Sequence, residues 1–224
     1  MPSPKLDPAS TLFFLCDVQT KFQPAIYGYE HVVSTSRKMI RLAKLLNIPV
    51  LVTTQNTRAL GPTDPNIEID TLGPLLLGNF DKSLFSMVTP EVKAVLSSLP
   101  NLKSIVVFGI ESHVCVLQTV LSILDDGIYT PHVIADGVSS CNSFEIPIAL
   151  DRMRTEGARI GTSESVAFQL MGDSNLPTFK AFSRFIKDEK ERTKINGEAL
   201  LQSQVTTIQG PYEVASAGVV VSKY

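Results

Sequence analysis

The sequence has few cysteines and few histidines for its length. Its 224 residues include three cysteines, at positions 16, 115 and 141, and three histidines, at positions 31, 113 and 132. An odd number of scattered cysteines does not form a disulfide framework, and this favours a reducing compartment. The three histidines do not show the spacing of metal ligands. We therefore predict no metal site and no cofactor.

Long apolar runs and an excess of basic charge are also absent. No apolar stretch approaches the roughly twenty residues that a membrane helix requires. The formal net charge of −2 gives no basic face to hold phosphates, so we expect no nucleic acid and no membrane as partner. The first segment, Met1 to Pro8, carries three prolines and resembles neither a secretory signal nor a transit peptide. We expect a cytoplasmic protein.

Apolar runs of strand length alternate with segments of helical period, which predicts βαβ units around a parallel sheet. A chain of this length fits one α/β domain. We predict a doubly wound, mainly parallel six-stranded sheet with helices on both faces, a Rossmann-like three-layer fold. The predicted strands are 11–16, 49–54, 104–108, 132–135 and 158–162, with a weaker one at 77–80; the predicted helices are 31–46, 90–98, 114–125, 143–155 and 163–171.

The boundary between the domain and a C-terminal extension is less clear in the sequence. A helix is predicted from Pro177 to about Lys190, because Phe179, Phe182, Phe185 and Ile186 recur at helical spacing. We interpret this stripe as packing on the domain or on a neighbouring subunit. We place one domain at residues 1–190 and a C-terminal extension at 191–224. From residue 195 onward the extension is compatible with an edge strand, an oligomer arm or a partly ordered tail.

Cys115 is the first candidate for chemistry. It follows the apolar run Ser104 to Phe108, which reads as a buried strand, and it precedes an amphipathic segment that reads as a helix. The unpaired N–H groups and the positive dipole end of a helix's first turn favour a thiolate. A free cysteine is also a common small apolar packing residue, so Cys115 alone does not decide between a nucleophile and a core side chain.

Two charged residues next to strongly apolar sequence strengthen the case for a site. Asp17 directly follows the predicted strand at 11–16, and Lys82 follows the weaker strand at 77–80. In a doubly wound sheet the loops at the carboxyl ends of neighbouring strands converge on one crevice. We therefore expect Asp17, Lys82 and Cys115 to meet, with Lys82 favouring the thiolate and Asp17 accepting its proton.

The three segments together resemble the isochorismatase-like cysteine hydrolases, which include nicotinamidases, N-carbamoyl amidohydrolases and isochorismatases. The likeness runs from about Leu12 to about Gly172 and is closest to the isochorismatase domain-containing proteins. Three motifs match in order, namely Asp17/Gln19/Phe22, Lys82 with Phe85-Ser86, and Gly109/Ser112/Cys115/Val116/Thr119, and the loop Thr54-Gln55-Asn56 with Gly61-Pro62-Thr63 is also similar.

The resemblance implies roles for these residues. Asp17, Lys82 and Cys115 would form a catalytic triad, and the backbone N–H groups of Glu111 and Cys115 would form an oxyanion hole after a cis bond at Ile110-Glu111. The substrate pocket would include Phe22, Gln19 and Gln55, although Phe22 also fits core packing and Gln19 also fits a loop hydrogen-bonding role. The resemblance further implies a homo-oligomer.

The same comparison narrows the chemistry. Nicotinamidases of this family hold a metal through an aspartate and histidines after the second strand, but Gln55 to Asp70 contains no histidine. We therefore predict a metal-independent cysteine hydrolase that forms an acyl-enzyme and acts on a small carboxamide or carbamoyl-type substrate. One alternative is an isochorismate-type vinyl-ether hydrolase, which would need Asp17 but not Cys115. Another is a non-catalytic interaction protein that retains the fold.

Overall fold

A computed structural model describes residues 5–208, and its centre is a six-stranded parallel sheet. The strand order is β3-β2-β1-β4-β5-β6, and every pairing is parallel. The predicted α/β, doubly wound sheet is therefore confirmed. The strands are Thr11–Cys16 (β1), Val50–Gln55 (β2), Leu76–Lys82 (β3), Ser104–Ile110 (β4), Thr130–Ser139 (β5) and Arg159–Gly161 (β6).

Helices connect these strands. Short 3₁₀ turns occur at Pro8–Ser10, Thr20–Phe22, Pro65–Ile67 and Ile69–Leu75. None of the helices between residues 5 and 208 combines the length and apolar character needed to cross a bilayer. The α-helices are Tyr29–Leu46 (α1), Thr57–Leu60 (α2), Pro90–Ser97 (α3), Leu117–Asp126 (α4), Glu145–Thr155 (α5), Ser163–Met171 (α6) and Phe179–Ile208 (α7).

Two apolar cores lie on opposite faces of the sheet. Successive side chains of a strand point to opposite faces, so Phe13 and Leu15 of β1 enter one core while Phe14 and Cys16 enter the other. The first core is closed by α1, α6 and α7, and the second by α3, α4 and α5. All these β1 side chains have no exposed surface. The predicted three-layer arrangement is confirmed.

Most predicted elements appear with small shifts, and two strand ends are clearly wrong. The weak strand at 77–80 extends to Lys82, and the strand at 132–135 extends to Ser139. Backbone pairing carries both strands past polar residues that made the apolar pattern end early. Lys82 therefore belongs to the strand end itself, where it pairs in register with Gln55 of β2.

The last helix is longer than predicted. It was expected to end near Lys190 but continues to Ile208, and Leu200 is fully buried in the first core. Its aromatic stripe packs on the domain, since Phe182 is fully buried and Phe185 nearly so. The division into a domain at 1–190 and an extension at 191–224 stays a prediction. The alternatives for the chain end beyond residue 208 lie outside the described residues.

The buried His132 of β5 is expected to lower the stability of the fold at acid pH. Its side chain is buried, its Nε2 atom has no hydrogen-bond partner, and burial together with the charge of Arg159 lowers its pKa from 6.5 to about 4. Between pH 6.5 and 4 the unfolded chain takes up a proton that the folded protein does not, so folding is weakened as pH falls. We expect a loss of about 3 kcal/mol across this range.

Urea unfolding at several pH values measures this loss. The matched variant is His132→Gln, whose side chain stays neutral throughout. The slope of unfolding free energy against pH between 6.5 and 4 should be shallower in this variant than in the wild type. Equal slopes in the two proteins would show that His132 is not the responsible group.

Candidate active site

Parallel pairing brings three predicted residues to the same edge of the sheet. Asp17 directly follows β1, Lys82 ends β3, and Cys115 lies five residues beyond the end of β4. Strands β1 and β4 are neighbours in the sheet. From β1 the chain adds β2 and β3 on one side, and from β4 it adds β5 and β6 on the other side. Such a switch point leaves a crevice at the carboxyl ends of the strands, where ligands of doubly wound folds bind.

Asp17 is a buried carboxylate that accepts hydrogen bonds from several neighbouring side chains. Its residue is 1% exposed and adopts a left-handed backbone conformation with φ of 49°. The Thr53 hydroxyl donates to its Oδ1 atom at 2.8 Å, and the Lys82 ammonium donates to its Oδ2 atom at 2.6 Å. These bonds fix the carboxylate direction and supply a counter-charge, which a buried carboxylate requires.

Lys82 has a full set of acceptors. Besides Asp17, its Nζ atom donates to Gln55 Oε1 at 2.7 Å and to the carbonyl oxygens of Phe85 at 3.0 Å and Leu84 at 3.1 Å. Its side chain has no exposed surface. A desolvated ammonium that is surrounded by oxygen atoms acts as a fixed positive charge at the edge of the sheet.

Cys115 lies in the turn that joins β4 to α4. Residues Ser112–Val116 form a π-helical turn that leads directly into α4, and the Ile110-Glu111 peptide before it is cis, as the resemblance implied. The Glu111 carbonyl oxygen accepts from the N–H groups of Val114 and Val116, both at 3.1 Å. Cys115 is 7% exposed. The expected position between a strand end and a helix start is confirmed.

Electrostatics link the cysteine to the charged pair. Burial acts to lower the pKa of Lys82, but the nearby Cys16, Asp17 and Cys115 reverse this, and the pKa is raised above its ordinary value. Burial raises the pKa of Cys16, and the neighbouring Cys115 and Asp17 add to the effect. The Cys16 thiol donates to Asp17 Oδ2 at 3.6 Å. Cys16 therefore stays a neutral thiol beside the site, while Lys82 stays charged. The Cys115 sulfur and the Asp17 carboxylate therefore lie close enough to the Lys82 ammonium to interact with it electrostatically.

Gly109 allows β1 and β4 to approach closely at this point. It pairs with Cys16, and a Cβ atom on it would lie 2.1 Å from the Cys16 carbonyl oxygen. Its φ of +122° also disfavours any other residue. We expect Gly109→Ala to lower the unfolding free energy by about 3 kcal/mol or more, because backbone strain and a backbone clash combine.

Gly157→Ala is the matched control for this substitution. Gly157 has a similar φ of +112°, but its added Cβ atom would meet only a Leu124 side-chain atom at 3.8 Å. Chemical denaturation of both variants separates backbone strain from the clash. If Gly109→Ala loses no more unfolding free energy than Gly157→Ala, the close approach of β1 and β4 is contradicted.

The three residues predicted for the pocket differ in their surroundings. Gln19 is fully buried, its Nε2 atom donates to the carbonyls of Gln55 and Gly61, and its Oε1 atom accepts from Gln55 N–H. These bonds brace the loop after β1 against the loop after β2, the alternative role foreseen for Gln19. Gln55 contacts Lys82 directly, and Phe22 is half-buried against the first core.

Several contacts of the site were not predicted from the sequence. These are the Thr53 hydroxyl on Asp17, the carbonyls of Leu84 and Phe85 on Lys82, and the Cys16 thiol beside Cys115. Thr53 pairs in register with Cys16, so a correct strand alignment would have placed it next to Asp17. The two carbonyls carry no residue-type signal, since every residue has one.

Comparison with known proteins identifies the family of the chain. The family model described as the isochorismatase domain matches residues 11–165, which include Asp17, Lys82 and Cys115. The chain belongs to the isochorismatase domain family. Isochorismatase domain-containing protein 2 of Xenopus laevis is 42% identical over 184 residues, covering 82% of this chain and 87% of that protein. The predicted family resemblance is therefore confirmed.

Two solved structures of this isochorismatase-like fold are similar to the chain. The MAR1 ribonuclease from Caenorhabditis elegans superposes with a TM-score of 0.74 at 34% identity, covering 82% of this chain and 93% of that one. The YcaC gene product from Escherichia coli, described as an octameric hydrolase of unknown specificity, superposes with a TM-score of 0.76. Its identity is 21%, with 93% of this chain and 99% of that one covered, and this likeness supports the fold alone.

Proposed function

We propose that this isochorismatase-family protein is a metal-independent cysteine hydrolase of small carboxamide or carbamoyl-type compounds. The observation that carries the proposal is the buried Asp17–Lys82 ion pair beside Cys115, at the switch point of the sheet. Keeping an acid and an ammonium out of water costs free energy that simple packing would not require. A site that performs proton transfer and nucleophilic attack does require such groups.

The proposed reaction begins with the Cys115 sulfur. Asp17 accepts the thiol proton, and the sulfur attacks the substrate carbonyl carbon to give a tetrahedral intermediate. The N–H groups of Glu111 and Cys115 stabilise the oxyanion. Asp17 returns the proton to the leaving nitrogen, the C–N bond breaks, and a thioester or thiocarbamate remains on Cys115. Water then attacks this acyl-enzyme, Asp17 takes the water proton, and the thiol is released with the acid product.

Lys82 serves this reaction without touching the substrate carbonyl. Its four oxygen acceptors hold the ammonium in place, so its charge is present before the substrate arrives. A fixed positive charge stabilises the thiolate in a site with little water. Gln55 and the loop after β3 act as positioning groups for this charge.

A substrate panel with trapping of the intermediate tests the proposal. Primary amides and N-carbamoyl amino acids are supplied with chelator present, ammonia release is measured, and rapidly quenched protein is examined by intact mass. We expect ammonia from at least one class, together with a mass increase that equals the acyl or carbamoyl group and maps to Cys115. Ammonia release that Cys115→Ala retains in full would exclude covalent catalysis by Cys115.

Cleavage of RNA is a second candidate. The solved structure with 34% identity is described as a ribonuclease, which is the observation that favours it. The net charge of −2 does not favour a phosphate-binding face. Single-stranded RNA therefore belongs in the panel. RNA cleavage that is retained in Cys115→Ala would point to a different site from the one proposed.

Assembly and location remain predictions for this chain. We expect a homo-oligomer from the family resemblance, and a cytoplasmic location from the scattered free cysteines.

A further inference from the structure

A second group of reactive side chains lies next to the turn that carries Cys115. Glu111 follows the last residue of β4, His113 lies in the π-helical turn, and Cys141 lies two residues beyond the end of β5. One ligand atom from each of these residues comes within 4.8 Å of the other two. The proposed hydrolysis uses none of these three side chains.

Backbone pairing explains why these residues meet. Ile110 at the end of β4 pairs in register with Ser139 at the end of β5, so the two following loops run side by side. The Glu111 Oε2 atom accepts from the Cys141 N–H group at 2.8 Å, which ties the loops together. The Nδ1 atom of His113 is hydrogen-bonded to Ser140 Oγ at 2.9 Å, which fixes the imidazole ring. Histidines that bind metals commonly use their second ring nitrogen in such a bond.

We propose that Glu111, His113 and Cys141 form a binding site for a zinc-class divalent cation, with water as the fourth ligand. Thiolate, imidazole and carboxylate are the three ligand types that zinc takes in proteins. A tetrahedral zinc ion with ordinary bond lengths separates its ligand atoms by about 3.3 to 3.8 Å. The observed spread reaches that range after side-chain adjustments of about 1 Å. Magnesium and calcium are excluded because they require oxygen ligands.

Accessibility favours this group over the catalytic cysteine as the metal site. Cys141 is exposed, and Glu111 and His113 are half-buried, so an ion can enter from solvent and keep a bound water. Cys115 and Cys16 are buried. The bound ion would lie against the turn between the cis peptide and Cys115. The proposal concerns binding alone and does not depend on the hydrolase reaction.

Cobalt substitution gives a direct readout. Metal-free protein is titrated with Co²⁺, and a thiolate-to-cobalt charge-transfer band in the near ultraviolet reports a sulfur ligand. Zn²⁺ is then added in competition to obtain its affinity. Four proteins are compared, namely the wild type, Cys141→Ser, His113→Gln and Cys115→Ala, the last being the matched cysteine control.

The expected result is one Co²⁺ per chain in the wild type and in Cys115→Ala, with the charge-transfer band present in both. The band should vanish in Cys141→Ser, and zinc affinity should fall at least tenfold in Cys141→Ser and His113→Gln. A band that survives in Cys141→Ser but is lost in Cys115→Ala would place the metal on the catalytic cysteine and overturn the proposal. Absence of a band in the wild type would overturn it as well.

Discussion

Cys115→Ala is expected to lower kcat/KM for the hydrolysed substrate by about 10⁴-fold or more. The expected loss is large because, in the proposed reaction, the sulfur forms the bond that replaces C–N, and alanine offers no other nucleophile at this position. The 7% exposure of Cys115 suggests that removing one sulfur atom disturbs packing only modestly. Circular dichroism and thermal unfolding should therefore show a folded variant, so that the loss reports chemistry.

Cys141→Ala is the matched control for this loss. It removes an exposed cysteine outside the Asp17–Lys82 pair, and its rate with chelator present should stay within about twofold of the wild type. Full activity in Cys115→Ala would contradict covalent catalysis. Activity that survives in Cys115→Ala but disappears in Asp17→Asn would favour vinyl-ether hydrolysis, which needs an acid and water rather than a thiol.

Lys82→Met is expected to reduce both activity and stability. Methionine keeps most of the side-chain length but removes the charge, and the buried Asp17 carboxylate loses its partner at 2.6 Å. Breaking a buried ion pair from one side costs about 3 to 5 kcal/mol. We also expect kcat to fall by about 10²-fold or more, since the proposed reaction then loses the fixed charge that would stabilise the thiolate. Urea unfolding and steady-state kinetics measure the two effects.

Two further variants make this test specific. Lys93→Met removes a lysine from the pair with Asp126 at 3.3 Å, where the lysine side chain is 55% exposed, and it should cost about 1 kcal/mol or less. The double variant Asp17→Asn with Lys82→Met should recover part of the stability lost in Lys82→Met, because no unpaired charge remains buried. If Lys82→Met and Lys93→Met lose the same unfolding free energy, the expected stabilisation by the buried Asp17–Lys82 pair is contradicted.

Local sequence patterns predict the ends of an element correctly where a change of residue type or a capping residue marks them. The strand Thr11–Cys16 appears with the predicted bounds, since a fully apolar run ends there at Asp17. The helix Ser163–Met171 also appears as predicted, with Thr162 capping its start. In contrast, the predicted β3 is too short, because Gly78, Asn79 and Asp81 interrupt its apolar pattern. In the structure, pairing with β2 carries the strand to Lys82.

The candidate site could be predicted only as far as side-chain chemistry is visible in the sequence. Asp17 and Lys82 stand out as charged residues at strand ends, and Cys115 stands out as a cysteine in the turn after β4. The carbonyls of Leu84 and Phe85 that bind Lys82 depend on loop direction, which no residue pattern encodes. The group formed by Glu111, His113 and Cys141 was missed for a similar reason, since its ligands come from two loops that only strand pairing brings together.

Competitive alkylation of the folded protein tests the proposed activation of the Cys115 sulfur most directly. Wild type and Lys82→Met are treated with limiting iodoacetamide at neutral pH with chelator present, and the modified cysteines are identified by peptide mapping. We expect Cys115 to be labelled before the exposed Cys141 in the wild type, and to lose this preference in Lys82→Met. Labelling of Cys141 first in the wild type, with Cys115 modified only after unfolding, would contradict the account.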